Sequence, residues 1–223
     1  MIISNAGKKI HKFNKFGLHY NLVATQVYKA RELEGNYFSR KYQSYITAAL
    51  ISFDMGRMMG QGGKNKYDII AGGFATKLRK KLIAIKPIIQ HLTRKKLTDL
   101  DIEKEKENII HAYNELSAKG HEGLNQRGDE FHVGTTKILH FINPELFLII
   151  DSNASRAFKF SHNVKYRNST QPGYSAAKYI ECLDLAKKDI LAFGITPFRA
   201  LEIGVPTARI YDKLTFVTGI NLS

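Results

Sequence analysis

A mainly α fold follows from three features of the sequence. Apolar residues recur at three- and four-residue spacing along most of the chain, glycine or proline punctuates the ends of those periodic stretches, and runs of strand-like alternation are scarce. At 223 residues and 43% apolar the chain can bury a substantial core. The expectation is one compact domain spanning 1–223, or two helical subdomains at 1–100 and 101–223.

The first 20 residues are basic and interleaved with aromatics, "KKIHKFNKFGLHY", which fits a mobile arm, an edge strand or a frayed end. Helical spacing then runs from Tyr20 to Leu33 and from Ser39 to Met59, where "SYITAALISFDMGRMM" reads as a buried helix ended by glycine. The loop "GQGGKNKYD" lacks the glycine-to-lysine spacing of a phosphate-binding loop and has Asn65 where a magnesium-holding hydroxyl would stand, so a nucleoside triphosphatase is rejected. Residues 74 to 92 read as a helix broken at Pro87, with Lys77, Arg79, Lys80 and Lys81 forming a cationic turn. A helix from about Asp101 to Lys119 carries acidic residues in its first turn and Gly120 as its stop. After "GYSAAKYIECLDLAKKDILAFG", an amphipathic helix, the C-terminal stretch reads as one or two more, interrupted at Pro206, with Arg199 and Glu202 as an intrahelical pair.

Charge is the strongest compositional signal. Residues 1 to 100 hold 19 Lys and Arg against 5 Asp and Glu, while 101 to 223 hold 15 against 15, so the whole excess of +14 lies in the first 100. Such a field favours a polyanion, above all nucleic acid, over an anionic membrane surface or a merely solvated basic face. No apolar run reaches the length of a membrane span, and the N-terminal apolar stretch is too short for a signal peptide, so a soluble cytoplasmic protein is the expectation. The single cysteine, Cys182, rules out an internal disulfide, a multi-cysteine zinc site and a four-cysteine iron–sulfur cluster. His132 and His140, eight positions apart, form no compact metal motif, and neither a metal nor another cofactor is expected. Asp54 and Arg57 stand at helical i,i+3 spacing, as an ion pair or as part of a site.

The stretch "FHVGTTKILHFINPELFLIIDSNASRAF", residues 131 to 158, carries the chemistry. A glycine- and threonine-rich turn opens a short apolar helix, Asn143-Pro144 breaks it, and Asp151 follows an apolar run directly before the next helix. An acid in that place is a helix N-cap or a reagent. The turn resembles the hairpin of helix-hairpin-helix proteins, and the order of turn, apolar helix, break and aspartate is similar to that of the helix-hairpin-helix DNA glycosylase superfamily, the endonuclease III-like and 8-oxoguanine glycosylase-like enzymes. The resemblance covers roughly 30 of the 223 residues, and with one cysteine instead of four the chain stands apart from the branch with an iron–sulfur cluster.

The resemblance implies a DNA-binding enzyme that hydrolyses an N-glycosidic bond in double-stranded DNA, with Gly134, Thr135 and Thr136 offering backbone amides to a phosphate and Asp151 as the catalytic carboxylate. Lys137 lies close to the position of the Schiff-base lysine of bifunctional members. Breaking an N-glycosidic bond develops positive charge on the sugar, which a neighbouring carboxylate stabilises. A target base must leave the stack, and Tyr37, Tyr45 and Phe53 are candidates to receive it. Two rivals stand beside this reading: a non-catalytic nucleic-acid-binding protein that uses only the hairpin and the cationic face, and a defence or mobile-element nuclease needing a divalent metal.

Overall fold

Ile10 and Phe13, three positions apart in the basic N-terminal stretch, are both buried, which makes that stretch a packed helix rather than an arm or an edge strand. The computed structural model describes residues 2–55, 73–120, 123–125, 130–164 and 175–221. Among these residues there are eleven α-helices and no strand. In chain order they are α1 Ala6–Phe16, α2 Leu18–Glu34, α3 Arg40–Leu50, α4 Phe74–Ala84, α5 Lys86–Leu92, α6 Ile102–Ser117, α7 His132–Ile142, α8 Ser152–His162, α9 Ala176–Phe193, α10 Ile195–Ala200 and α11 Thr207–Ile220. The mainly α class read from the periodicity is what the chain adopts. None of the described helices is long and apolar enough to cross a membrane.

Local chemistry explains the boundaries. Ser39, Asp101, Asp151 and Ser175 each cap a helix by accepting from an amide of the first turn. The expected break near Pro87 falls two residues earlier, at Ile85, because proline suits the first turn of a helix and so begins α5. Gly194 ends α9 at a φ of 95°, open to glycine and costly for other residues. The helix expected over Ser39–Met59 runs as α3 and passes into a π-turn at Ile51–Met55. Arg57 and the "GQGGKNKYD" loop lie outside the described residues.

One buried core joins the helices. It is closed by the segment between α7 and α8, whose residues Leu146 to Ile150 are all buried without regular structure. Buried irregular backbone needs hydrogen-bond partners, and side chains from three helices supply them. Thr136 accepts from Ile150 N at 3.1 Å, Asp212 accepts from Ile149 N at 2.8 Å, Tyr179 donates to Leu148 O at 3.0 Å, and His140 Nδ1 donates to Phe147 O at 2.6 Å. The apolar run before Asp151 is therefore a buried strut. At its start the Asn143 amide donates to Leu92 O and Lys95 O, each at 2.8 Å, tying the strut to the end of α5. At its far end α8 lies against α11 at Gly219, where a Cβ would stand 2.0 Å from Asn153 O.

The bond from His140 Nδ1 leaves its Nε2 as an acceptor, and the Tyr28 hydroxyl donates to it at 2.6 Å. Burial holds His140 down to about 3, so it is neutral at pH 7. Its folded-state pKa lies below the ordinary value of 6.5. Its contribution to stability is therefore complete above about 6.5 and is lost progressively as pH falls toward 3. Tyr28→Phe strands that buried acceptor, and chemical denaturation should read a loss of about 1–3 kcal/mol.

Candidate functional site

The strut delivers Asp151 to the mouth of α8, where its Oδ1 accepts from Asn153 N and Ala154 N, both at 2.9 Å. Both bonds fall on Oδ1, so Oδ2 receives none from the described residues. Asp151 is a cap through one oxygen and has the other to spare. It lines a cavity of about 310 Å³, and Lys137 of α7 lines the same cavity. The two residues singled out in the sequence for chemistry are thus brought together.

Four aromatic rings enclose the space: Phe13 from α1, Tyr20 from α2, Phe53 from the π-turn and Phe216 from α11. Tyr20 and Phe53 have ring centroids 4.8 Å apart, and Phe13 meets Phe216 edge-on at 5.4 Å. Lys137 donates to Phe53 O at 3.1 Å, and its Nζ sits 5.0 Å over the Phe53 ring, a cation–π contact. Arg209 of α11 places its guanidinium 5.2 Å over the Phe13 ring and donates to Asn21 Oδ1 at 3.3 Å. The polar lining is completed by Asn153, Thr215 and Asp212, the last only 5% exposed. Burial holds its carboxyl well above the usual carboxylate range, which favours the protonated acid.

A polar network behind this wall fixes α1 and α2 against α11. The Lys213 ammonium pairs with Glu202 at 2.5 and 2.6 Å and donates to Asn14 Oδ1 at 3.1 Å, while Asn14 and Asn21 are themselves linked at 2.9 Å. Glu202 therefore does not pair with Arg199 as its spacing suggested. Arg199 instead donates to Thr207 Oγ1 at 3.3 Å and lies 3.8 Å from Glu145.

The other residues expected at the site have different surroundings. Gly134, Thr135 and Thr136 are buried within α7, so no side of them faces a phosphate. Gly134 is needed because a Cβ there would meet the buried Phe131 ring at 2.0 Å, and Thr136 serves the strut. Lys81 is 7% exposed and donates to the carbonyl and the carboxylate of Glu115 at 2.8 and 3.0 Å. It is withdrawn from the cationic surface into an ion pair. Arg79 and Lys80 are exposed on α4, and Lys77 is half-buried.

Of the aromatic candidates, only Phe53 lines the cavity. Tyr37 packs edge-on against Tyr42, and Tyr45 lies on the surface. His132 bonds Glu130 and Tyr113, His140 is buried by the strut, and among the described residues no group of three or more His, Cys, Asp or Glu side chains could hold a metal ion. Asp212, Arg209, Phe13, Tyr20 and Phe216 escaped the sequence reading. The acid within the otherwise apolar and basic stretch "ARIYDKLTF" was the one local sign of them. Comparison of the chain with family models, with curated proteins and with solved structures found no match.

Proposed function

We propose that the protein binds DNA, receives an extruded base in the aromatic cavity and cleaves its N-glycosidic bond. The observation that carries this reading is the meeting of Asp151, with one carboxylate oxygen open, and Lys137 in a cavity walled by four rings. Aromatic walls suit the faces of a base, and a carboxylate beside the anomeric carbon stabilises the positive charge that develops as the base departs. Water then adds to that carbon, and its proton leaves with the base. Exposed Arg156 and Lys159 follow the cavity-lining Asn153 and Ala154 on α8, and exposed Lys15 follows the cavity-lining Phe13 on α1, so basic groups stand near the cavity for the DNA backbone. Phe16, 70% exposed, and Leu18, 61% exposed, stand on the turn that joins cavity-lining Phe13 to Tyr20, where an apolar side chain can take the place of the extruded base.

The test is incubation with 5′-labelled duplexes carrying uracil, hypoxanthine, 8-oxoguanine, alkylated or only normal bases, with chelator present, followed by alkali and a denaturing gel. Breaks that appear after alkali at one base support the reading. DNA that is bound but intact throughout the panel favours a binding protein without chemistry, and breaks lost on chelation favour a nuclease. Borohydride added during the reaction decides how Lys137 is used. If its amine adds to the anomeric carbon as the base leaves, the resulting imine is reduced to a stable covalent complex, which Lys137→Gln cannot form.

The basic faces carry a separate prediction. Arg79→Ala combined with Lys80→Ala should weaken DNA affinity and make its dependence on log salt shallower by ~2, if each contacts one phosphate. Lys81→Ala should leave the affinity alone and cost stability of about 1 kcal/mol instead, because its partner is Glu115. Filter binding across a salt series and thermal unfolding read the two effects.

A further inference from the structure

Asp212 Oδ2 is a buried polar atom with no hydrogen-bond partner among the described residues, in a side chain that lines the cavity. The other oxygen, Oδ1, is occupied by Ile149 N. The nearest candidate partner for Oδ2 is His140 Nδ1 at 3.2 Å, but that nitrogen directs its proton to Phe147 O at 2.6 Å. A buried polar atom left unpaired is costly, and native proteins rarely keep one without a use.

We propose that Asp212 donates a hydrogen bond from Oδ2 to a carbonyl oxygen on the ring of the base held in the cavity, selecting keto-bearing bases over amino-bearing ones. The assignment rests on the reading of the cavity as a base site. Its surroundings agree with it. Arg209 and Lys137 are cationic donors that line the same cavity, beside Asp151, Asn153 and Thr215. A ring carbonyl offers an acceptor to the donors of this wall. Burial above all, and then Asp151, favour the neutral form of Asp212, Arg209 and the bond from Ile149 N oppose it, and the neighbouring His140, Tyr28 and Tyr179 are uncharged.

Two substitutions separate the proton from the shape. In Asp212→Asn the amide oxygen accepts from Ile149 N, and the amide N–H stands where the carboxyl O–H does. Asp212→Ala removes both. Equilibrium binding is measured with a duplex carrying one mispaired hypoxanthine or uracil, against the same duplex with adenine or cytosine there. The intact protein should prefer the keto-bearing duplexes by roughly tenfold or more. Asp212→Asn should keep that preference and Asp212→Ala lose it. The intact protein's preference should fade as pH rises toward the raised pKa of Asp212, while that of Asp212→Asn should not. Preference for adenine or cytosine, or an asparagine variant that behaves like the alanine one, overturns the proposal.

Thermal unfolding of the free protein checks the proton without DNA. A carboxyl whose pKa is raised by folding holds its proton in the folded state and loses it in the unfolded one, so its contribution falls as pH rises above the unfolded value. The stability of Asp212→Asn relative to the intact protein should therefore grow from pH 5 to pH 8.5, and a difference that stays flat overturns the proposal. If the difference grows but no substitution changes any duplex affinity, the base-site reading fails and the assignment to a base carbonyl fails with it.

Discussion

Asp151→Asn is expected to lower base release by roughly a hundred- to a thousandfold while DNA affinity stays within about twofold of the intact protein. Asparagine caps a helix as well as aspartate does, so its oxygen continues to accept from Asn153 N and Ala154 N and α8 keeps its start. What is lost is the negative charge on the second oxygen, the part the proposed chemistry uses. Single-turnover release measured beside equilibrium binding reads the two quantities separately. An equal fall in both would assign Asp151 to binding or folding rather than to chemistry.

Gly219→Ala should have the largest effect on stability. The added Cβ would stand 2.0 Å from Asn153 O, 2.5 Å from Asn153 C and 2.7 Å from Asn153 Cα, all of them backbone, so no side chain can turn aside to make room. Forcing α8 away from α11 should cost about 3 kcal/mol, which for a chain of this length lowers Tm by roughly 6–12 °C. The displaced backbone is that of the turn capped by Asp151, so the variant should also lose base release at temperatures where it is still folded. A Tm within a degree or two of the parent would show that α8 and α11 meet less closely than described.

These two residues show what kind of information the sequence carried. Asp151 was legible because its signal is local: an apolar run, an acid and a helix start follow one another in the chain. The cap follows from that order, whereas the open oxygen is a feature of the folded site. Lys137, in the same stretch, was picked out through the family resemblance alone, and the fold sets it in the same cavity. The irregular course of Leu146 to Ile150 was hidden, because its backbone is satisfied by Thr136, His140, Tyr179 and Asp212 rather than by its neighbours.

The misread residues share a cause. Lys81 reads as one more lysine in "TKLRKKL", and only Glu115 on a distant helix withdraws it from the surface. Gly134 looks like a phosphate-binding glycine, but the Phe131 ring fills the place of its Cβ. The N-terminal stretch looks like an arm because its lysines and histidines interrupt its apolar residues, yet Phe13 and Tyr20 become walls of the cavity once α1 and α2 pack on α11. Asp212 has no local motif at all, since an unpaired oxygen is a property of the assembled cavity.

The central claim, N-glycosidic cleavage at Asp151, is tested most directly by quantifying the free base itself. Duplex DNA carrying the responsive lesion is incubated with chelator, and released base is measured by mass spectrometry beside alkali-labile sites, for the intact protein and Asp151→Asn. One free base per alkali-labile site, lost in Asp151→Asn, is the expected result. Bound DNA that yields no free base would contradict it, as would strand breaks without base release.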